Sequence, residues 1–133
     1  MKQEAGFMKI VYMSMLGNTR RFVEKLEMPS LELSDQNAFT EIHEPFILIA
    51  PTYEIEATDI LNDFLETEDN ISFCQGVVGG GNRNFNDLFC FTAEDISLDY
   101  DIPILHRFEY QGSEHDVNKV KEIVTEIENT NYV

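Results

Sequence analysis

Met8-Lys9-Ile10-Val11-Tyr12-Met13 runs directly into Ser14-Met15-Leu16-Gly17-Asn18-Thr19, and Phe22, Val23 and Leu26 then recur at helical spacing. The first six residues read as a buried strand, the next six as a small polar loop, and the last three as one apolar stripe of a helix. A short loop that turns a strand into a helix leaves its own amides and the first helical amides without backbone acceptors. Those N–H groups, with the positive end of the helix dipole, suit a phosphate or another anion. Arg20 and Arg21 fall in the first turn, where the dipole disfavours cations unless an anion is near, and the chain has only nine Lys plus Arg. The same stretch also reads as a polar turn capped by Asn18 or Thr19. Its position in the whole fold decides between the two.

The rest of the chain alternates strands with helices. Leu31 and Leu33 flank Glu32 after Pro29, the pattern of a short second strand. Phe46-Ile47-Leu48-Ile49-Ala50 is a continuous apolar run, as in a strand covered on both faces. Thr58-Asp59 caps an expected helix carrying Ile60, Leu61, Phe64 and Leu65. Gly76-Val77-Val78-Gly79 predicts a fourth strand ending in Gly80-Gly81-Asn82, and Asn86-Asp87 opens a helix with Leu88, Phe89, Thr92 and Ile96 facing inward. Ile102 to Phe108 supplies a fifth strand, with Pro103 confined to its start. Ser113-Glu114-His115-Asp116 has the form of a capping box, and Val117, Val120, Ile123, Val124 and Ile127 make the last apolar stripe. Such alternation predicts an α/β, flavodoxin-like three-layer sandwich: a five-stranded parallel sheet of order 2-1-3-4-5 with helices on both faces.

In sheets of that order, ligands bind beyond the carboxyl ends of the strands, at the topological switch point. Strands one, three and four end together there, so Ser14–Thr19, Pro51–Ala57 and Gly79–Phe85 are expected to face one crevice. The first loop would hold a phosphate, and the other two would flank whatever is attached to it. Gly79, Gly80 and Gly81 carry no side chains, so their backbone can approach a flat ring closely. Asn82, Arg83 and Asn84 offer donors, and Phe85 offers a flat apolar face. A tight turn alone needs fewer glycines than this.

At 133 residues, 43% of them hydrophobic, the chain is large enough to bury one core. Met1–Phe7 has no apolar centre and does not read as a signal peptide; Met8 could equally serve as the start. Residues 1–7 therefore read as an N-terminal lead-in, and residues 8–133 as a single flavodoxin-like domain. No run approaches the roughly 18 apolar residues of a membrane span. With 25 acidic residues and a net charge of −16, the surface repels nucleic acid backbones and anionic membranes. Cys74 and Cys90 form no CxxC pattern, which suits a reducing cytoplasm, and His43, His106 and His115 have no metal-ligand spacing. No nucleophile–base pattern is present. Ser14 and Pro51-Thr52 stand where a phosphorylatable receiver domain would need carboxylates, and the glycine triplet does not spell GxGxxG.

Gly80-Gly81-Asn82-Arg83-Asn84-Phe85 resembles the last six positions of the G-[SG]-G-N-R-N-[FW] signature of the NrdI family, flavodoxin-like proteins of class Ib ribonucleotide reductase systems. Gly17 to Leu26 is similar to that family's phosphate loop and first helix, and Glu44 to Tyr53 to its third strand and flavin loop. Ile102-Pro103 through Phe108-Glu109, with Gly112 and Asp116, is similar to its fifth strand and final helix. The resemblance covers essentially Met8 to Glu128. It implies non-covalent flavin mononucleotide (FMN), with Ser14, Met15, Gly17, Asn18 and Thr19 around the phosphate. Thr52 and Tyr53 would line one side of the flavin, and Gly79, Gly80, Asn82, Asn84 and Phe85 the other. It implies electrons from a flavin or thiol reductase, reaction of the reduced flavin with dioxygen, and delivery of the oxidant to the reductase small subunit. That oxidant helps to assemble or maintain a manganese–tyrosyl radical cofactor.

Two departures from that pattern bear on affinity. Leu16 stands where most flavodoxin phosphate loops carry Thr, and losing one charge-assisted hydrogen bond costs about 1.5–3 kcal/mol. Glu54-Ile55-Glu56 follows the Thr-Tyr pair where many members have glycines, which brings carboxylates near the ring or else turns them to solvent in a shortened loop. These departures motivate an alternative function: a flavodoxin-shaped protein-binding or regulatory module with weak or lost FMN binding. A general electron-carrier flavodoxin is a third possibility, disfavoured by the short second loop and the lack of Trp.

Overall fold

Phe46, Ile47, Leu48, Ile49 and Ala50 are all fully buried, because the strand they form is covered on both faces. In the computed structural model, which describes residues 8–14, 17–52, 55–81 and 90–131, this is strand β3 (Phe46–Ala50). It lies at the centre of a five-stranded sheet with β1 (Lys9–Tyr12), β2 (Ser30–Glu32), β4 (Cys74–Gly81) and β5 (Ile104–Glu109). The order is β2-β1-β3-β4-β5 and every neighbouring pair is parallel, as the alternating pattern predicts.

Period-2 alternation splits the apolar residues between two cores. Val11, Leu48 and Val77 face one side, where α2 (Ile55–Leu65) brings Leu61, Phe64 and Leu65 and α4 (Phe91–Tyr100) brings Ala93 and Ile96. Ile10, Tyr12, Ile47, Ile49 and Val78 face the other. There α1 (Asn18–Leu26) contributes Phe22, Val23 and Leu26, and α5 (Glu114–Asn131) contributes Val117, Val120 and Val124. Phe22 stacks on Phe108 of β5 with ring centroids 4.0 Å apart, and Phe46 meets the edge of Phe64 at 5.5 Å.

The alternation of strand and helix fails at one connection. Residues 33–45, between β2 and β3, are turns and chain without regular secondary structure. Asn70, in the single-turn helix α3 (Asn70–Phe73), holds them in place. Its Oδ1 accepts the Ile42 amide proton at 2.8 Å, and its Nδ2 donates to Thr40 O at 2.9 Å and Phe64 O at 2.8 Å. This buried amide supplies hydrogen bonds that a helix would have made internally.

Several boundaries move from their expected places. α2 starts at Ile55, three residues ahead of the Thr58-Asp59 pair, so the second crevice loop is shorter than Pro51–Ala57. β4 extends from Cys74 to Gly81 and absorbs the whole glycine triplet. α4 starts only at Phe91, after Cys90 in the left-handed conformation, while Asn86–Phe89 lie outside the described residues. At α5 the capping box is formed as expected. Asp116 N donates to Ser113 Oγ at 3.2 Å and Asp116 Oδ2 accepts the Ser113 amide proton at 2.8 Å. The other oxygen of Asp116 lies 2.7 Å from His106 Nε2, which joins the start of α5 to β5.

Candidate functional site

The carboxyl ends of β1, β3 and β4 lie side by side, since Tyr12 pairs with Ile49 and Ala50 with Gly79. From β1 the chain reaches Ser14 and enters α1 through Gly17. Gly17 adopts φ +92°, a left-handed turn that side chains disfavour, and its carbonyl accepts the Arg21 amide proton at 3.0 Å. Neither Asn18 nor Thr19 caps the helix. Ser14 performs that role from outside: its Oγ accepts N–H groups from Gly17 at 3.1 Å and Arg20 at 3.2 Å.

Two accepted protons occupy the lone pairs of the Ser14 hydroxyl, so its own proton remains to be donated. The amides of Asn18 and Thr19 meet no acceptor among the described residues. No acidic residue lies in the first turn of α1 to compete for them. Amides at a helix start, a hydroxyl proton and the helix dipole form a donor set of the kind that holds phosphate. Met15 lies outside the described residues.

The two arginines of the first turn do different things. Arg20 turns to β2, where its Nε and a terminal nitrogen bind the two carboxylate oxygens of Glu32 at 2.9 and 2.5 Å. Glu32 also accepts the Tyr12 hydroxyl proton at 2.9 Å. The Arg20 hydrogen bonds hold the Glu32 carboxyl below the usual carboxylate range against the opposing effect of burial. Burial first, and then the neighbouring Glu32 carboxylate, push the Tyr12 hydroxyl up to about 12. Arg20 is therefore committed to a protein carboxylate, and Glu32 is the anion that offsets its place in the first turn. Arg21 is exposed and folds back toward the loop, with a guanidinium nitrogen 3.4 Å from Asn18 Oδ1 and 3.5 Å from the position a Gly17 Cβ would take.

Thr52 and Gly80 are directly joined at the rims of β3 and β4: the Thr52 hydroxyl donates to Gly80 O at 2.9 Å. With its proton engaged, Thr52 Oγ1 offers a ligand only acceptor capacity. The glycines have a reason for being glycine that was not apparent from the sequence. A Cβ on Gly79 would stand 2.8 Å from Ala93 Cβ, and one on Gly80 would stand 2.8 Å from Phe108 Cζ. Both faces of the strand are thus packed at these two residues, and neither forms part of a loop. Gly81 ends the strand, its carbonyl accepting the Tyr110 amide proton at 3.0 Å. Tyr53, Asn82, Asn84 and Phe85 lie outside the described residues, as do Leu16 and Glu54.

Of the expected site residues, Ser14, Gly17, Asn18 and Thr19 gather at the start of one helix, and Thr52, Gly79 and Gly80 at the adjoining strand rims. The sequence reading missed the Tyr12–Glu32–Arg20 cluster. Its one signal was a charged residue, Glu32, between the apolar Leu31 and Leu33. Among the described residues no group of three His, Cys, Asp or Glu could hold a metal ion, and no helix is long and apolar enough to cross a membrane.

Solved structures share this architecture. Oxidised flavodoxin 2 from Bacillus cereus superposes with a TM-score of 0.65 at 21% identity, covering 95% of this chain and 99% of that one. A short-chain flavodoxin associated with a non-canonical PDU bacterial microcompartment gives 0.62 at 16% identity, covering 92% and 97%. At these identities the likeness is one of fold. The sequence carries more: the model of the NrdI flavodoxin-like family matches residues 10–122, and the chain belongs to that family.

Proposed function

We propose that this protein is an FMN-binding redox accessory factor that supplies a flavin-derived oxidant for the manganese–tyrosyl radical cofactor of a class Ib ribonucleotide reductase. One observation carries the cofactor assignment. In a chain of the NrdI flavodoxin-like family, Ser14 and the first turn of α1 present a phosphate-type donor set at the switch point of the sheet. In this reading Ser14, Met15, Gly17, Asn18 and Thr19 surround the FMN phosphate, and Arg21 adds a cation at the mouth of the loop. Thr52 and Tyr53 line one side of the ring. Gly79 and Gly80 carry β4 to the rim on the other side, where Asn82, Asn84 and Phe85 follow.

FMN, when bound, supplies the electron transfer and the reaction with dioxygen. The chain supplies position: amides fix the phosphate, Thr52 presents an acceptor oxygen, and the strand rims set how deep a ring can enter. Partners in this reading are the reductase small subunit and a flavin or thiol reductase as electron donor, in a reducing cytoplasm.

A second reading, a protein-binding module with weak or lost FMN affinity, draws support from Leu16, from Glu54-Ile55-Glu56 and from the commitment of Arg20 to Glu32. A visible absorption spectrum before and after incubation with FMN separates the two. Uptake of a flavin band that dithionite bleaches, with oxidant delivery to a manganese-loaded small subunit, supports the first. A folded protein that takes up no FMN at high micromolar concentration, yet captures the small subunit, supports the second.

A further inference from the structure

The Arg20–Glu32 pair spans the two elements on which the anion loop depends. Arg20 belongs to the first turn of α1, and its backbone amide sits on the same Ser14 Oγ that caps the helix. Glu32 ends β2, opposite Tyr12 in the register of β1 and β2, so it lies at the carboxyl edge of the sheet beside the loop. The guanidinium is held by two hydrogen bonds, and Glu32 is held in turn by the Tyr12 hydroxyl. Both side chains remain partly exposed, 47% for Arg20 and 33% for Glu32, so exchange with a competing anion is sterically possible.

We propose that Glu32 is an affinity-setting residue: by engaging Arg20 it keeps that cation from the Ser14–Thr19 anion loop, and releasing Arg20 tightens phosphate binding there. The inference rests on the phosphate-loop reading above and adds a residue to it that touches no ligand. Arg is suited to either role, since its planar fork matches a carboxylate and a phosphate equally well. A dianionic phosphate on the loop amides competes with Glu32 for the same five N–H donors. In the folded protein the carboxylate is already engaged, so phosphate binds to a loop with one cation fewer than its sequence suggests.

The test is a cycle of Glu32→Gln, Arg20→Gln and both together, with Glu32→Ala as a second release variant that keeps no amide to hold Arg20. Inorganic phosphate is titrated against the amide resonances of Gly17, Asn18 and Thr19. FMN and riboflavin are titrated in parallel by quenching of flavin fluorescence. Both release variants are expected to bind phosphate roughly three- to ten-fold tighter at low salt, with a gain that shrinks as salt is added. FMN should gain by a similar factor and riboflavin, which lacks the phosphate, by none.

In the Arg20→Gln background the same release should give little. A gain of equal size there means that Glu32 acts through its own charge alone, which overturns the inference. Unchanged phosphate affinity in Glu32→Gln and Glu32→Ala, or no amide response to phosphate in any variant, also overturns it. Tighter phosphate without FMN uptake in any variant would instead sink the flavin reading and leave this inference standing.

Discussion

The Thr52 hydroxyl donates to the Gly80 carbonyl at 2.9 Å, joining the end of β3 to the end of β4 at the point where the site opens. Replacing Thr52 by Val keeps the shape and removes the donor, leaving a partly buried carbonyl short of a partner. The expected cost is about 0.5–1.5 kcal/mol, read as a lower urea midpoint at unchanged slope. Thr52→Ser retains the hydroxyl and should restore most of it. A loss in Thr52→Ser as large as that in Thr52→Val would show that the hydroxyl is not the deciding group, since the serine variant keeps it and lacks only the methyl.

Asn70 makes a larger demand on the fold. Its side chain is fully buried and satisfies Ile42 N, Thr40 O and Phe64 O at once. Asn70→Ala leaves buried backbone groups unpaired and is expected to cost about 2–4 kcal/mol. Hydrogen exchange should locate the damage: the Ile42 amide accelerates well before those of β3. Uniform acceleration through the sheet would show that Asn70 supports the whole fold and not the 33–45 connection.

How much was legible in the sequence follows from these residues. β3 was legible because five apolar residues in succession suit a strand covered on both faces, and its limits, Phe46 and Ala50, are as expected. The sheet order followed from the succession of elements. The Asn70 staple was not legible, since a polar residue three to six places beyond a helix looks the same whether it faces water or holds a distant loop. The reason for Gly79 and Gly80 was hidden similarly. A glycine that lets a ring approach and a glycine crowded by Ala93 or Phe108 have the same letter, and only the packing separates them. Ser14 was expected to serve the anion loop, but its capping of α1 across three residues depends on the left-handed Gly17.

Asp116 gives the acid response a defined contributor. Burial alone would raise its carboxyl, but hydrogen bonds from Ser113 and the contact with His106 outweigh that and hold it below the usual range. A carboxyl depressed in the folded state contributes stability that is complete above its unfolded value, near 3.9, and is lost as pH falls through the folded value. Asp116→Asn should therefore flatten the fall in urea midpoint as pH drops below about 4, while lowering stability at neutral pH. An acid limb as steep as that of the parent protein would assign this response to other carboxylates.

Gly80 and Phe108 supply the most discriminating test of the packing behind the site rim. A Cβ at Gly80 would press on the tip of the Phe108 ring at 2.8 Å, and that ring cannot withdraw because it stacks on Phe22 at 4.0 Å and is 2% exposed. Gly80→Ala is expected to cost about 1–3 kcal/mol through overpacking. Phe108→Leu alone also destabilises, by removing buried ring atoms. Combined, the two should cost less than their sum by about 0.5–2 kcal/mol, because the shorter side chain makes room for the new methyl. Gly79→Ala is the control, since its Cβ would meet Ala93 Cβ at 2.8 Å on the opposite face of β4, beyond the reach of any change at Phe108. Phe108→Leu should leave the cost of Gly79→Ala unchanged within about 0.5 kcal/mol. Equal rescue of both glycine variants would mean that the strand itself shifts, and that the two faces of the rim are not packed independently.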